Sequence, residues 1–213
     1  MQLNSDIRNV LVVAAHPDDG EFACGGTISR LIEEGKKVWY VVFSPCKKSV
    51  PEGYPEDILY QELEQAAEVL GVPDGRLITF DFEVRELQRD RQQILEELVG
   101  LNREIQPDLV FMPESADFHQ DHQTIHQESK RAFKTSCQLG YELPWNQFGG
   151  EHKFYIKLEK KHLDKKLEAI RCYQSQGFRE YYDEELFVSL ARVRGVQAKN
   201  RWAESFEMIK WIY

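Results

Sequence analysis

The chain reads as an α/β protein with a Rossmann-like, doubly wound and mostly parallel sheet and helices on both faces. Three observations predict it. Apolar runs alternate with helix-period stripes as far as Met112. The best of those runs are continuously apolar, as expected of strands covered on both faces. Two of them stop at dense acid/imidazole clusters, and an open α/β sheet binds its ligands beyond the carboxyl ends of its strands.

The elements follow in order. Val10 to Ala15 is the first strand, ending at His16-Pro17-Asp18-Asp19-Gly20-Glu21. Thr27, Ile28, Leu31 and Ile32 recur at helical spacing, with Gly35 as a stop, and Val38 to Phe43 reads as the second strand. Leu59, Leu63, Ala66, Ala67 and Leu70 mark a helix closed by Gly71 and Pro73. Leu77 to Phe82 is a third strand. Ile94, Leu95, Leu98, Leu101 and Ile105 form the next helical stripe, which Pro107 ends before the strand Leu109 to Met112. Single helices between strands imply right-handed crossovers. Beyond about Gln138 the pattern is less regular, with a strand over Phe154 to Leu158 and helices around Lys161 to Tyr173 and Glu184 to Arg192.

Length and composition bound the function. At 213 residues the chain fits one domain over residues 1–213, with a substantial core, and no repeat or linker divides it. A net charge of −9 argues against a nucleic-acid partner, which needs a concentrated basic face. Lys160, Lys161, Lys165 and Lys166 cluster, but Glu159, Asp164 and Glu168 interrupt them, so they read as a solvated helix face. The 4 cysteines are scattered without a CxxC pair, and the short polar stretch Met1 to Asn9 is no secretory signal. No apolar run approaches the ~20 residues that span a bilayer. The expectation is a cytoplasmic protein with reduced thiols, and self-association into a homo-oligomer is left open.

The chemistry lies in two clusters. His16 and Asp19 are three residues apart across a turn held by Pro17, so both can face one point. His122, in Asp117-Phe118-His119-Gln120-Asp121-His122, can supply a third ligand from a distant loop. Two imidazoles and one carboxylate leave positions open on a divalent ion, which marks a catalytic site. That set suits Zn²⁺, with Fe²⁺ as the alternative. Asp18 is then a spare carboxylate suited to deprotonating water, and His119 suits protonation of a leaving group or stabilisation of an oxyanion. Asp121 is expected to orient His119. Taken singly, each cluster has a bland reading: a turn with a capping Asp at residues 16–19, and Asp117 or Asp121 as a helix cap.

The motifs Ala14-Ala15-His16-Pro17-Asp18-Asp19-Gly20-Glu21, Cys24-Gly25-Gly26-Thr27 and His119-Gln120-Asp121-His122 resemble signatures of the PIG-L/LmbE-like deacetylases. The resemblance continues through residues 62–71, 107–110, 173–176 and 203–206. It implies metal-dependent removal of an N-acetyl group from an amino sugar or its conjugate. By the resemblance His16, Asp19 and His122 are metal ligands, Asp18 the general base, and His119 the acid or oxyanion stabiliser backed by Asp121. The partner implied is a small-molecule N-acetyl amino sugar. Two departures stand out. The Glu that often follows HPDD directly comes one residue later, at Glu21, and Leu59 stands where many relatives carry a substrate-binding Arg. Arg85 is a candidate substitute, against the plainer reading of a surface ion pair. Hydrolysis of a thiol-conjugate amide, or a non-catalytic sugar-binding or nucleotide module, are the competing readings.

Other features carry less. Gly25-Gly26 reads as glycines for close packing, since no GxGxxG or GxxxxGK[ST] is present. His126 reads as a helix-face histidine. The segment Gly140-Tyr141-Glu142-Leu143-Pro144-Trp145-Asn146 suits a sugar-binding rim, with Tyr141 and Trp145 as core anchors the alternative.

Overall fold

The computed structural model describes residues 6–212; Met1 to Ser5 of the polar N-terminal stretch, and Tyr213, lie outside them. Strand β1 (Asn9–Ala14) pairs in parallel with both β2 (Lys37–Val42) and β4 (Leu109–Pro113). Beyond them lie β3 (Leu77–Thr79) on one side and β5 (Cys137–Tyr141) on the other, both parallel. Then β7 (Trp202–Lys210) joins β5 antiparallel, and β6 (His152–Leu158) closes that edge, giving one seven-stranded sheet in the order β3-β2-β1-β4-β5-β7-β6. The chain steps outward from β1 to β3 and then crosses back to β4. The strand order therefore reverses between β1 and β4, and a crevice opens at their carboxyl ends.

The continuous apolar character of β1 builds two cores at once, because successive side chains point to opposite faces. Val10, Val12 and Ala14 pack with helices α1 (Asp19–Glu33), α2 (Ile58–Leu70), α5 (Lys160–Ile170) and α6 (Glu184–Gln197). Leu11, Val13 and Ala15 pack on the other face with α3 (Arg91–Ile105) and α4 (Gln120–Ala132). As expected, α2 ends at Gly71, whose φ of 87° is the left-handed conformation that glycine adopts without strain.

Three expectations need correcting. The third strand is shorter than expected, Leu77–Thr79, because beyond it the chain turns away to form the crevice wall at Val84 and Arg85. Strands β5 and β7 lie where the sequence reading found no strand. Lys166 is not on a solvated face: it is buried against Glu204, with Nζ 2.7 Å from Oε1 and side-chain exposures of 3% and 5%.

Helix α1 explains that burial. It is kinked at Cys24, whose φ of −135° and ψ of 24° are not helical, so the next turn starts with unbonded N–H groups. Glu204 of β7 accepts from the N–H of Gly26 at 3.2 Å and of Thr27 at 2.7 Å. Gly25 and Gly26 are there for close approach, since a Cβ on Gly26 would lie 2.6 Å from Leu158 Cδ1 and one on Gly25 would lie 3.2 Å from Lys166 Cγ. No helix among the described residues is long and apolar enough to cross a membrane.

Candidate active site

At the end of β1 the chain must turn at once into α1. Asp18 makes that turn with φ 82° and ψ −31°, a conformation costly for a residue with a Cβ and typical of functional positions. Asp19 then opens the helix, and the backbone N–H of His16 donates to its Oδ2 at 2.9 Å. The loop after β4 delivers His119 as the N-cap of α4, its Nδ1 accepting from the Asp121 N–H at 3.2 Å, and places His122 one turn on.

Three side-chain atoms meet in the crevice. His16 Nδ1 lies 3.1 Å from His122 Nε2, and Asp19 Oδ2 lies 3.3 Å from His122 Nε2 and 3.7 Å from His16 Nδ1. A tetrahedral ion with bonds of ~2.0–2.1 Å would space its ligand atoms by ~3.3 Å, so this triangle fits one. The partners on the far side of each ring support the fit. His16 Nε2 is 2.9 Å from Asp121 Oδ2, and His122 Nδ1 is 2.7 Å from Asp117 Oδ2. Each carboxylate holds a ring proton on that side and so turns a bare lone pair toward the shared point. Two lone pairs and a carboxylate oxygen this close repel unless a cation joins them. Without an ion a proton takes that place: burial opposes charge on His122, yet Asp19 and Asp117 outweigh it and push its pKa up to about 10, so a cation bound there displaces that proton. Asp19 also resists its burial and, through His122 and His16, stays ionised with a pKa of about 2.

His119 is different. One of its ring nitrogens lies within 4.8 Å of one each on His16 and His122, so it too could be counted as a ligand. Its Nδ1, however, accepts a backbone N–H, which leaves the proton of the neutral ring on Nε2 as a donor. Burial and the neighbouring His122 and His16 lower its pKa to about 4, so at neutral pH it is that neutral donor. Asp121, expected to orient His119, does not do so through its carboxylate. That group serves His16 and the backbone N–H of Arg85, at 2.9 and 2.6 Å. Asp117, read as a cap, takes the N–H of His119 at 2.8 Å and also fixes His122.

Asp18 lines the same cavity, of about 350 Å³, beside His16, Asp19, His119 and His122. Burial, and then the charges of Asp19 and Glu21, raise its carboxyl well above the usual range, which prepares it to accept a proton. Glu21 points elsewhere, accepting from Tyr40 Oη at 2.8 Å. The cavity wall includes Leu59 and Arg85; the guanidinium of Arg85 reaches the Lys48 carbonyl at 3.4 Å and makes no ion pair among the described residues. Trp145 serves both readings of its segment: it lines the cavity and stacks on Tyr181 at 4.3 Å, with Phe22 and Phe187 at its edges. Tyr141 is a core residue whose Oη donates to the Val13 carbonyl at 3.1 Å. His126 is buried outside the site, 2.8 Å from the Pro113 carbonyl.

Sequence reasoning missed Gln176, Arg179 and Tyr181, which complete the cavity from a turn between α5 and α6. The signal was there in Glu62 and Ser175. Buried Glu62 accepts from the Ser175 N–H at 2.8 Å and from its Oγ at 2.6 Å, clamping that turn to α2.

The profile of the PIG-L family, described as GlcNAc-PI de-N-acetylase, matches residues 11–133. The chain belongs to the PIG-L family. This PIG-L chain is 30% identical over 199 residues to a probable N-acetyl-alpha-D-glucosaminyl L-malate deacetylase 2 of Bacillus anthracis, covering 79% of the chain and 81% of the relative. It is 28% identical over 172 residues to the uncharacterized deacetylase YaiS of Escherichia coli, covering 79% and 91%. Among solved structures it resembles N,N'-diacetylchitobiose deacetylase from Pyrococcus horikoshii, with a TM-score of 0.78, 24% identity and coverage of 95% and 84%. It equally resembles GalB, the 4-carboxy-2-hydroxymuconate hydratase of Pseudomonas putida, with a TM-score of 0.81, 22% identity and coverage of 97% and 98%. The architecture alone therefore does not select a reaction; the site must. Family membership and the deacetylase relatives make this PIG-L chain an N-deacetylase, an amide hydrolase.

Proposed function

We propose that the protein is a metal-dependent hydrolase that removes the N-acetyl group from an amino sugar or its conjugate. The observation that carries this is the triangle of His16 Nδ1, Asp19 Oδ2 and His122 Nε2 with the uncommitted carboxylate of Asp18 in the same cavity. His16, Asp19 and His122 hold one divalent ion, with Zn²⁺ favoured by two imidazoles and a carboxylate and Fe²⁺ the alternative. When bound, such an ion supplies Lewis acidity toward the amide carbonyl and makes water acidic enough to attack at neutral pH.

The residues of the chain do the rest. Asp18 takes a proton from the attacking water, its raised affinity for protons suiting it to that step, and the leaving amine, a stronger base than the carboxylate, then takes the proton from it. His119, neutral and with its proton on Nε2, donates to the oxyanion as the carbonyl becomes tetrahedral, a contribution whose loss typically costs ~10²–10³ in rate. Asp121 and Asp117 keep His16 and His122 in their ligating orientations. Acetate leaves, and an amine remains on the sugar. The four cysteines are free thiols, in keeping with a cytoplasmic setting.

The deciding experiment measures acetate release from a panel of N-acetylated sugars and conjugates by protein stripped of metal and reloaded with Zn²⁺ or Fe²⁺. Release restored by metal supports the reading. Metal binding with no acetate from any N-acetyl sugar would overturn it, and cleavage confined to thiol-conjugate amides would replace the substrate.

A further inference from the structure

Between β2 and α2 the chain runs through residues 47–57, which are mostly exposed although Ser49 and the preceding Cys46 line the catalytic cavity. The backbone hydrogen bonds of this segment are local, from the Ser49 N–H to the Cys46 carbonyl at 2.8 Å and from the Tyr54 N–H to the Pro51 carbonyl at 3.3 Å. Val50 packs against the core from the inner side. Two residues in the left-handed region, Cys46 at φ 55° and Gly53 at φ 93°, turn the chain at the start of the segment and within it. The facing edge of the cavity is held differently. Arg85 lies at φ 69°, and its N–H donates to Asp121 Oδ2 at 2.6 Å, while the Leu87 N–H donates to Oδ1 at 3.3 Å. Asp121 is buried and paired with His16, so that edge is fixed to the centre of the site. Three surface contacts join the two edges. Lys47 Nζ lies 2.8 and 3.0 Å from the oxygens of Asp81, Lys48 Nζ lies 3.0 Å from Glu83 Oε2, and Arg85 Nη2 donates to the Lys48 carbonyl at 3.4 Å.

We propose that residues 47–57 are a strap over the edge of the catalytic cavity, latched by the Lys47–Asp81 and Lys48–Glu83 pairs and opening about Cys46 and Gly53 to admit substrate and release product. The inference rests on that cavity being where the reaction takes place. The kind of contact marks a latch. Exposed ion pairs contribute little to stability and are screened by salt, so they make a poor permanent wall. They suit a segment that keeps its own shape through local bonds and is released at every turnover. Buried Asp121 makes the facing edge permanent, and with it the orientation of His16. Opening would uncover Cys46, whose thiol is buried at the inner end of the strap and so reports on it.

The test follows iodoacetamide labelling of Cys46 and Cys24 by peptide mass spectrometry on Zn²⁺-loaded protein, at about 0.05 M and about 1 M salt. It compares the wild type with Asp81→Lys/Glu83→Lys and with the full exchange that adds Lys47→Glu and Lys48→Glu. At low salt Cys46 in the charge-reversed variant should label roughly threefold or more faster than in the wild type, and the full exchange should restore the slow rate. Salt should speed labelling of the wild type and slow that of the reversed variant, where it screens repulsion instead of attraction. Cys24, fully buried in the kink of α1, should label at one rate throughout. Equal Cys46 rates in all proteins would overturn the strap, as would Cys24 rising in step with Cys46, which would mean that the whole fold loosens. Labelling needs no turnover, so a responsive Cys46 with no acetate released from any N-acetyl sugar would remove the deacetylase reading and leave the strap standing.

Discussion

At the residue scale, the roles of the four carboxylates around the crevice follow from their partners. Asp19 faces His16 Nδ1 and His122 Nε2, Asp117 and Asp121 hold the far sides of the rings, and Asp18 is the one left for the proton transfer proposed above. Replacing Asp18 with Asn should keep about one equivalent of metal while lowering kcat by ~10²–10⁴, read by elemental analysis and steady-state kinetics. Loss of the metal would instead make Asp18 a ligand. For Asp117→Asn the expected order reverses: metal affinity weakens ~10–100-fold in a chelator competition, because the tautomer of His122 is no longer enforced. Unchanged affinity would mean that packing alone orients the ring. The convergence of His16, Asp18, Asp19 and His122 was legible in the sequence because the first three sit within five residues of the end of β1 and His122 in the cluster that follows β4. The pairing of Asp121 with His16 was not, since those residues meet only across the β1–β4 crevice.

At the scale of elements, the kink in α1 is where helix, sheet and the C-terminal half lock together. Glu204 satisfies the N–H groups that the kink frees and neutralises Lys166 within the protein. Glu204→Ala should cost ~3–5 kcal/mol in a denaturant titration, since it strands a buried ammonium. A loss below ~1 kcal/mol would show that water enters and solvates Lys166. From sequence, Lys166 looked like one more charge on a solvated helix, because helical periodicity reports which face a residue occupies but not which strand will cover that face. The same blindness hid β7. Its Ala203-Glu204-Ser205-Phe206 stretch is buried without being apolar, so no hydrophobic run announces it. The parallel strands β1, β2 and β4, buried on both sides, were readable almost to the residue.

At the scale of the whole molecule, a second polar cluster ties the antiparallel edge to the rest. His152 of β6 contacts Glu114 after β4 and lies 3.3 Å from Glu142, which also takes Arg194 of α6 at 2.7 Å. Burial disfavours a charged His152, but the Glu114 hydrogen bond and the charges of Glu142 and Glu114 prevail and raise its pKa above the usual imidazole value. A raised folded pKa contributes stability that is fully present below ~6.5 and is lost as pH rises through the folded value. The denaturation midpoint should therefore decline from pH 6 toward pH 9, and His152→Gln should flatten that decline; parallel profiles would assign the dependence to another group. The division of the chain has a further consequence. The family profile ends at residue 133, after His16, Asp18, Asp19, His119 and His122, whereas Trp145, Asn146, Gln176, Arg179 and Tyr181 come later. The proposed reactive residues thus lie in the first part of the chain and much of the cavity's wall in the second. Exchanging residues 140–182 for the matching stretch of a relative is a route to new substrate preference that leaves the inherited reactive centre in place.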